Sequence, residues 1–576
     1  MWSRFTKLHE PRWCLTIAEE KTEQLAGSFA MIRLTDHAVV VSIKQIHQYG
    51  LEDFALEVMA HEIGHHVFCP GNLSDQGRML ARMRRALPQV ERHAPFVANL
   101  YADLLINDRL QRSEGLRMSE VFKRLEAANK EDKPDELWTL YMRMYEILWS
   151  LQRGTLAKGA ITSQLDLDAQ LGARVIRVYA KDWLKGSGRF AALLLTYLLK
   201  AQEKQMQQMM KRWHDMEKAG AGAGDEIPEG LLDIDPDELE GSLHPMYDKK
   251  ITGESDEETD KEFDKAKKKA LEEKSLIGNS EGQYREPFEF GEILKQLGLK
   301  LPPHEIAIKY YRERAIPHLV KFPTREMPES QEPLIEGLDI WDVGSPIEEV
   351  DWVESAIASP HIVPGVTTVQ RLYGTASGAL PEREPIDLDL YVDCSGSMPN
   401  PQVATSFLTL AGAIISLSAL RAGARVKVTL WSGKDDFQTT GQFIRDEHEI
   451  LKILTGYIGG WTCFPIHLLR DTFKDRTKRD RAVHILHISD DGIDTLFAND
   501  EKGNVGWDVA KMALEKGRGG GTMVLNTWQE WTAIPVLQRA HTEQGWDIHR
   551  VQTWDQLVTF ARAFSKAKYG RENKVK

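Results

Sequence analysis

The sequence predicts a multidomain protein with a mainly helical N-terminal region, an acidic flexible linker and a C-terminal α/β doubly wound domain. Three observations carry that prediction. The chain has 576 residues, more than one ordinary hydrophobic core can serve. Apolar residues recur at helical spacing through the first 216 positions or so. From about residue 386, short β-branched runs alternate with helical stretches, the pattern of a largely parallel sheet covered by helices.

In chain order, Ala38 to Ile43 (AVVVSI) reads as a buried strand, because a β-branched run is bounded there by polar residues. Leu51 to Phe68 reads as a helix, and Cys69-Pro70-Gly71 ends it by removing a donor and permitting a reversal. Phe96 to Leu110 and Pro134 to Leu151 are further helices, followed by a helical block from about 165 to 216. At Ala219-Gly220-Ala221-Gly222-Ala223-Gly224 the composition shifts, and the run Glu254 to Asp260 is strongly acidic. A stretch so poor in large apolar residues is expected to remain a flexible linker. Residues 288 to 375 regain structure without a clear period. Ile386 to Val392, Val426 to Trp431, Val483 to Ile488, Met523 to Leu525 and Trp546 to Val551 then read as strands, with an Ala/Leu-rich helix from about Gln402 to Arg421. The expected organisation is 1–120, 121–216 (a helical extension), 217–287 (the linker), 288–375 (a connecting segment) and 376–570 (the α/β domain).

The formal net charge of −13 argues against a general nucleic-acid binder, which needs clustered positive charge. Cys14, Cys69, Cys394 and Cys463 form no C-x-x-C pair, so a reduced, cytoplasmic setting is expected. No apolar segment follows the first residues as a secretion signal would, and the run Phe190 to Leu199 is about half the ~20 residues that span a bilayer. No phosphate-binding loop of the G-x-x-x-x-G-K-[ST] type is present, so any ATPase would have to be another chain.

Two motifs carry chemistry. His61-Glu62-Ile63-Gly64-His65 is an H-E-x-x-H pattern within a helical run. Residues i and i+4 share a helix face, so His61 and His65 can hold one metal ion, and Glu62 stands one step round, placed to act on a metal-bound water. The third ligand must come from elsewhere. Asn99, Asp103 and Asn107 form a polar stripe on an otherwise apolar helix, and Asp103 alone among them carries a charge. His93 and Cys69 are the other candidates, and His66 lies about 100° round the helix from His65. The second motif, Asp393-x-Ser395-x-Ser397, follows directly on a strand. One carboxylate and two hydroxyls are hard oxygen donors suited to Mg²⁺, and the carboxyl end of a strand is where an open α/β sheet binds ligands.

The first motif resembles that of zincin metallopeptidases. The gluzincin arrangement has a ligand Glu four residues before an Asp on a second helix; here Asn99 occupies the Glu position. Either Asp103 is itself the zinc ligand, the reading preferred because the helix face requires no other change, or the site is degenerate. The second motif resembles the metal-ion-dependent adhesion site (MIDAS) of von Willebrand factor A (VWA) domains. That family adds a Thr from a second loop, matched by Thr462, and an Asp after a later strand, matched by Asp490 with Asp491 as its rival. Such sites leave a metal position open for a partner's carboxylate. Trp341 to Thr368, with Asp351-Trp352 and Pro364-Gly365-Val366-Thr367-Thr368, looks like the lead-in of VWA proteins associated with MoxR-type AAA+ ATPases. As a whole the chain looks like the bacterial zincin-like metallopeptidases that carry a C-terminal VWA-like domain.

Two functions follow from these resemblances. In one, a zinc peptidase uses Glu62 as its catalytic base, and its VWA domain binds a partner through Mg²⁺ and works with a MoxR-type AAA+ ATPase. In the other, the chain is a non-enzymatic adaptor or co-chaperone for such an ATPase and its zinc is structural.

Overall fold

A run such as Ala38 to Ser42, apolar at four successive positions, can be buried only as a strand covered on both faces. The computed structural model of the protein places it so. It describes residues 11–23, 25, 29–34, 38–128, 135–201, 228, 230–235, 238, 242–253, 284–299, 301–322, 324–326, 331–377, 383–553, 555–557, 559–560 and 563–564. The chain divides into two units: Met1–Tyr310 with Pro401–Thr405, and Tyr311–Asn400 with Ser406–Lys576.

In the first unit, β1 (Arg12–Cys14), β2 (Ala30–Arg33) and β3 (Ala38–Ser42) form a small sheet in the order β1-β3-β2, with α1 (Ile17–Thr22) between β1 and β2. Strand β3 runs parallel to β1 and antiparallel to β2. Ser42 ends β3 and caps α2 (Ile43–Gln48), accepting from Gln45 N at 3.1 Å. One face of the sheet (Ala30, Ile32, Val39, Val41) packs on Val58 of α3 (Ala55–Val67). The helices α4 (Leu73–Ala86), α5 (Ala94–Arg112), α6 (Met118–Ala128), α7 (Glu136–Leu148), α8 (Ser163–Val178) and α9 (Trp183–Lys200) complete the unit's core. Most of α5 is buried, its polar Asn99, Asp103, Asn107 and Asp108 included, and Pro95 sits in its first turn, where the missing donor does no harm. Phe190 to Leu199 lies within α9, and among the described residues no helix is long and apolar enough to cross a membrane.

The stretch expected to be a linker differs in part. Residues 202–216 of the expected helical block, and residues 217–227, 229, 236–237, 239–241 and 254–283 of the expected linker, lie outside the described residues. Leu231, Leu232 and Ile251, however, are buried, and Leu231 packs against Gly77 of α4, where an added Cβ would meet it at 2.5 Å. The charges here are also paired rather than solvated. Arg285 and Glu238 are nearly free of solvent and form an ion pair at 2.6 Å, Arg85 joins Glu238 at 2.5 Å, and Arg82 meets Asp235 at 2.7 Å. Average composition cannot distinguish such an interior ion network from a solvated tract. Helix α10 (Pro287–Gln296) follows directly.

In the second unit, the region without a clear period contains the antiparallel pair β5 (Gln331–Ile340) and β6 (Val369–Ser377), with α11 (Trp352–Ala358) between them. A short antiparallel pair joins β4 (Thr324–Glu326) to β7 (Arg383–Pro385). The main sheet has six strands: β8 (Asp387–Asp393), β9 (Val426–Trp431), β10 (Phe437–Thr439), β11 (Val483–Asp490), β12 (Arg518–Asn526) and β13 (Asp547–Arg550). Their order is β10-β9-β8-β11-β12-β13, parallel throughout except for the edge strand β10. Order therefore reverses between β8 and β11, which makes their shared carboxyl end the topological switch point. The helices α12 (Phe407–Arg421), α13 (Glu447–Leu454), α14 (Ile466–Phe473) and α15 (Gly506–Gly517) provide the crossovers and cover. Strand β12 begins five residues earlier than the sequence suggests. Gly519 and Gly521 look like loop residues, but they are sites of close approach: a Cβ would meet Val483 O at 2.4 Å and the Trp546 ring at 2.4 Å.

Candidate metal sites

Helices α3 and α5 bring the first site together. Gly64 makes their approach possible: on α3 it faces Ile106 of α5, and a Cβ at Gly64 would lie 2.4 Å from Ile106 Cγ2. Across that contact His61 Nε2 stands 3.6 Å and His65 Nε2 3.4 Å from the same oxygen, Asp103 Oδ1. The ligand atoms of these three buried residues all lie within 4.8 Å of one another. Two donors on one tetrahedral zinc stand about 3.3 Å apart, so the spacing suits the ion.

Both imidazoles are oriented by acceptors behind them. His61 Nδ1 lies 2.8 Å from Asn107 Oδ1, and His65 Nδ1 lies 3.3 Å from the Cys69 carbonyl. An amide or carbonyl oxygen accepts only, so each ring keeps its proton on Nδ1 and turns the Nε2 lone pair toward Asp103. Asn107 Nδ2 in turn donates to Tyr145 Oη at 3.0 Å, and Tyr145 is linked to Tyr141 at 3.1 Å. Buried His65 Nε2 and Asp103 Oδ1 therefore have lone pairs facing one another with no hydrogen bond between them. A cation between them would satisfy both, and the donor set of two imidazoles and one carboxylate fits zinc. Burial lowers the basicity of both histidines, His65 to about 4, and raises the Asp103 carboxyl to about 6 against the pull of His61. The imidazoles are thus neutral near pH 7, as ligation requires.

Glu62 is fully buried on α3 between the two histidines in sequence. Beside His61 is a hollow of about 20 Å³, lined by Phe29, Val58, Asn107 and the Met118, Val121, Phe122 and Leu125 face of α6. It has room for about one water and none for a peptide. The other candidate ligands stand apart from the group. His93 Nε2 accepts from Arg92 Nε at 3.2 Å, and Cys69 contributes its carbonyl, its thiol held well above the usual range by burial. Asn99 is buried one turn before Asp103, and His66 Nδ1 lies 3.1 Å from the Gly71 carbonyl. The orienting roles of Asn107, Tyr145 and Tyr141 are not legible in the sequence, where Asn107 stands out only as part of a polar stripe and the tyrosines lie within the helix expected over Pro134 to Leu151.

The second site forms at the switch point. Asp393 ends β8 and Asp490 ends β11, on adjacent parallel strands. Asp393 Oδ1 accepts from Ser395 N at 2.8 Å and its Oδ2 from Ser489 Oγ at 2.6 Å. Ser395 Oγ and Ser397 Oγ are 3.1 Å apart, and Ser397 Oγ donates to Asp490. Thr462 enters from the loop after α13: its Cγ2 lies 2.1 Å from where a Cβ on Gly492 would stand, so only glycine fits after Asp490-Asp491. Gly396 N donates to Gly460 O at 3.2 Å, and Gly459 N to Cys394 O at 3.0 Å, which ties the two loops together. Gly460 holds φ +105°, a conformation that requires glycine. Of the doubled aspartates, Asp490 accepts from Ser397 Oγ and from Gly492 N, while Asp491 is exposed. Ser489, which fixes the Asp393 carboxylate, was the residue the motif reading missed; its place one position before Asp490 was the available signal. Burial raises the Asp393 carboxyl, with Ser489 and Ser395 opposing and Asp490 adding to the rise. Two carboxylates and the Ser395 and Ser397 hydroxyls gathered at one end of the sheet, with Thr462 on the adjoining loop, suit a hard divalent cation.

No family model matches the sequence, and no curated protein matches it. Among solved structures the chain is similar to a von Willebrand factor type A from Catenulispora acidiphila, at 16% identity and a TM-score of 0.23, over 32% of this chain and 44% of that one. The chain thus spans less than half of that structure's length.

Proposed function

We propose that the chain is a zinc-dependent peptidase whose second unit, a VWA-like domain, captures a carboxylate of a partner protein through Mg²⁺, with a MoxR-type AAA+ ATPase as that partner. The observation that carries the reading is the convergence of His61 Nε2, His65 Nε2 and Asp103 Oδ1, at the spacing of donors around one tetrahedral zinc. A bound zinc supplies Lewis acidity and lowers the pKa of a water. The rest of the work falls to the chain. Asn107 and the Cys69 carbonyl hold the imidazoles in the ligating tautomer. Glu62 takes the proton of the attacking water and delivers it to the leaving amine. The hollow beside His61 positions that water and the apolar face of α6 keeps bulk solvent out. Peptide access requires α6 to move.

At the other site, Asp393, Ser395, Ser397, Thr462 and Asp490 would hold Mg²⁺ and leave a position for the partner's carboxylate. A second reading, the non-enzymatic adaptor with structural zinc, is favoured by the deep burial of Glu62, His65 and Asp103 and by Asn99 where a gluzincin has Glu. Glu62→Gln separates the two. With zinc bound one-to-one in both proteins, loss of peptide hydrolysis in the variant supports the peptidase. No hydrolysis by wild type over a broad peptide library, with Asp393→Ala still abolishing partner capture, selects the adaptor.

A further inference from the structure

Two tryptophans stand almost wholly in solvent on the rim of the second site. Trp461 is 88% exposed and Trp528 is 91% exposed, although a tryptophan is normally mostly buried. Neither position is accidental. Trp461 directly precedes Thr462, and its carbonyl accepts from Ser432 Oγ at 3.0 Å, which anchors the loop beneath it. Trp528 lies two residues past Asn526, the register partner of Asp490 across β11 and β12. Its loop is also held: the Arg550 guanidinium donates to Thr527 O at 2.9 Å and to Trp528 O at 3.1 Å. The site is thus flanked by large rings presented from braced loops, one beside Thr462 and one beyond Asp490. Asp491 and Asp494 are exposed just past Asp490, close enough that Asp490 and Asp494 add to the desolvation that raises the Asp491 carboxyl. Rigid exposed aromatics of this kind supply contact area at small entropic cost, and tryptophan is enriched among residues that dominate binding energy.

We infer that Trp461 and Trp528 are specificity-determining residues for the partner, and that the segment they clamp pairs one Asp or Glu with a neighbouring Arg or Lys. The inference rests on the carboxylate-capture reading of this site. The acidic residue meets the bound cation. The basic residue meets Asp491 and Asp494 and lies against an indole face, where a guanidinium or ammonium is favoured over an apolar or acidic group.

The test uses the full chain in Mg²⁺ and a hexapeptide library with one fixed Asp, each flanking position varied among Arg, Glu, Leu and Gly. Tb³⁺ luminescence, sensitised by nearby tryptophan, reports cation binding separately. Arg-flanked peptides should bind best. Trp461→Ala and Trp528→Ala should each weaken them at least tenfold, without changing circular dichroism, and Trp528→Ala should leave Tb³⁺ affinity unchanged. If both variants bind peptides as wild type does, or Glu- or Leu-flanked peptides bind as well as Arg-flanked ones, the clamp is overturned while the cation site stands. No Mg²⁺-dependent peptide binding by a chain that takes up Tb³⁺ overturns it too. If Asp393→Ala leaves Tb³⁺ uptake intact, the underlying site reading itself fails.

Discussion

Gly64→Ala is the substitution that tests most sharply how the first site is built. Its added Cβ would sit 2.4 Å from Ile106 Cγ2, whereas carbon atoms rest about 3.5–4.0 Å apart, so about 1.1 Å or more must be found. The neighbour cannot swing away easily, because Ile106 is buried and β-branched, with a stiff χ1. Overpacking of this kind costs about 1–3 kcal/mol, and the better helix propensity of alanine returns about 1 kcal/mol. Net stability should therefore fall by only about 0–2 kcal/mol. Zinc binding should suffer more. Parting α3 from α5 moves His61 and His65 away from Asp103, and ligand distances tolerate only about 0.2 Å. Zinc affinity, read by competition with a chromophoric chelator, should fall at least ~10-fold, comparable to loss of a ligand's supporting contact. Ile106→Ala introduced together with Gly64→Ala should restore most of it. Unchanged affinity in the single variant, or loss that persists in the double variant while Ile106→Ala alone binds normally, would refute the reasoning.

Other outcomes follow from the same geometry. Asn107→Leu removes the acceptor behind His61 and should weaken zinc binding about 10–100-fold, measured by the same competition, with secondary structure intact. Arg285→Ala leaves buried Glu238 with Arg85 as its ion-pair partner, so the full penalty of about 3–5 kcal/mol for an uncompensated buried charge should appear in denaturant melts when Arg85→Ala is added to it; a loss under about 1 kcal/mol in the double variant would show the network to be solvated. His487 is buried against Tyr391, Phe464 and Trp546 with neither ring nitrogen hydrogen-bonded, and burial lowers it to about 3. Its unfolded form binds the proton first, so stability should drain away as pH falls below about 6.5, by roughly 4–5 kcal/mol in all near pH 3. His487→Phe should flatten that slope in melts followed between pH 7 and 4.

Much of this architecture is written in local patterns. The AVVVS run of β3, the strands β8, β9 and β11, and the H-E-x-x-H helix each carry their period over enough residues to be read directly. Asp103 could be chosen as ligand because it alone carries a charge in the Asn99, Asp103 and Asn107 stripe. What escaped the sequence is what depends on distant partners. Gly64 looks like any helical glycine until Ile106 stands opposite it. Asp235 and Glu238 read as solvated acids until Arg82, Arg85 and Arg285 are seen to pair with them. Gly519 and Gly521 read as loop until the Val483 carbonyl and the Trp546 ring fill the space beside them. Nor does spacing along a helix tell that the α6 face lies over His61.

Zinc K-edge absorption on the zinc-loaded full chain probes the central assignment most directly. The account predicts one tightly held zinc with two imidazole nitrogens at about 2.0–2.1 Å, further light oxygen scatterers and no sulfur. His65→Ala should remove one imidazole shell, and Asp103→Ala should abolish stoichiometric binding. A sulfur shell from Cys69, or the wild-type spectrum retained in both variants, would contradict it.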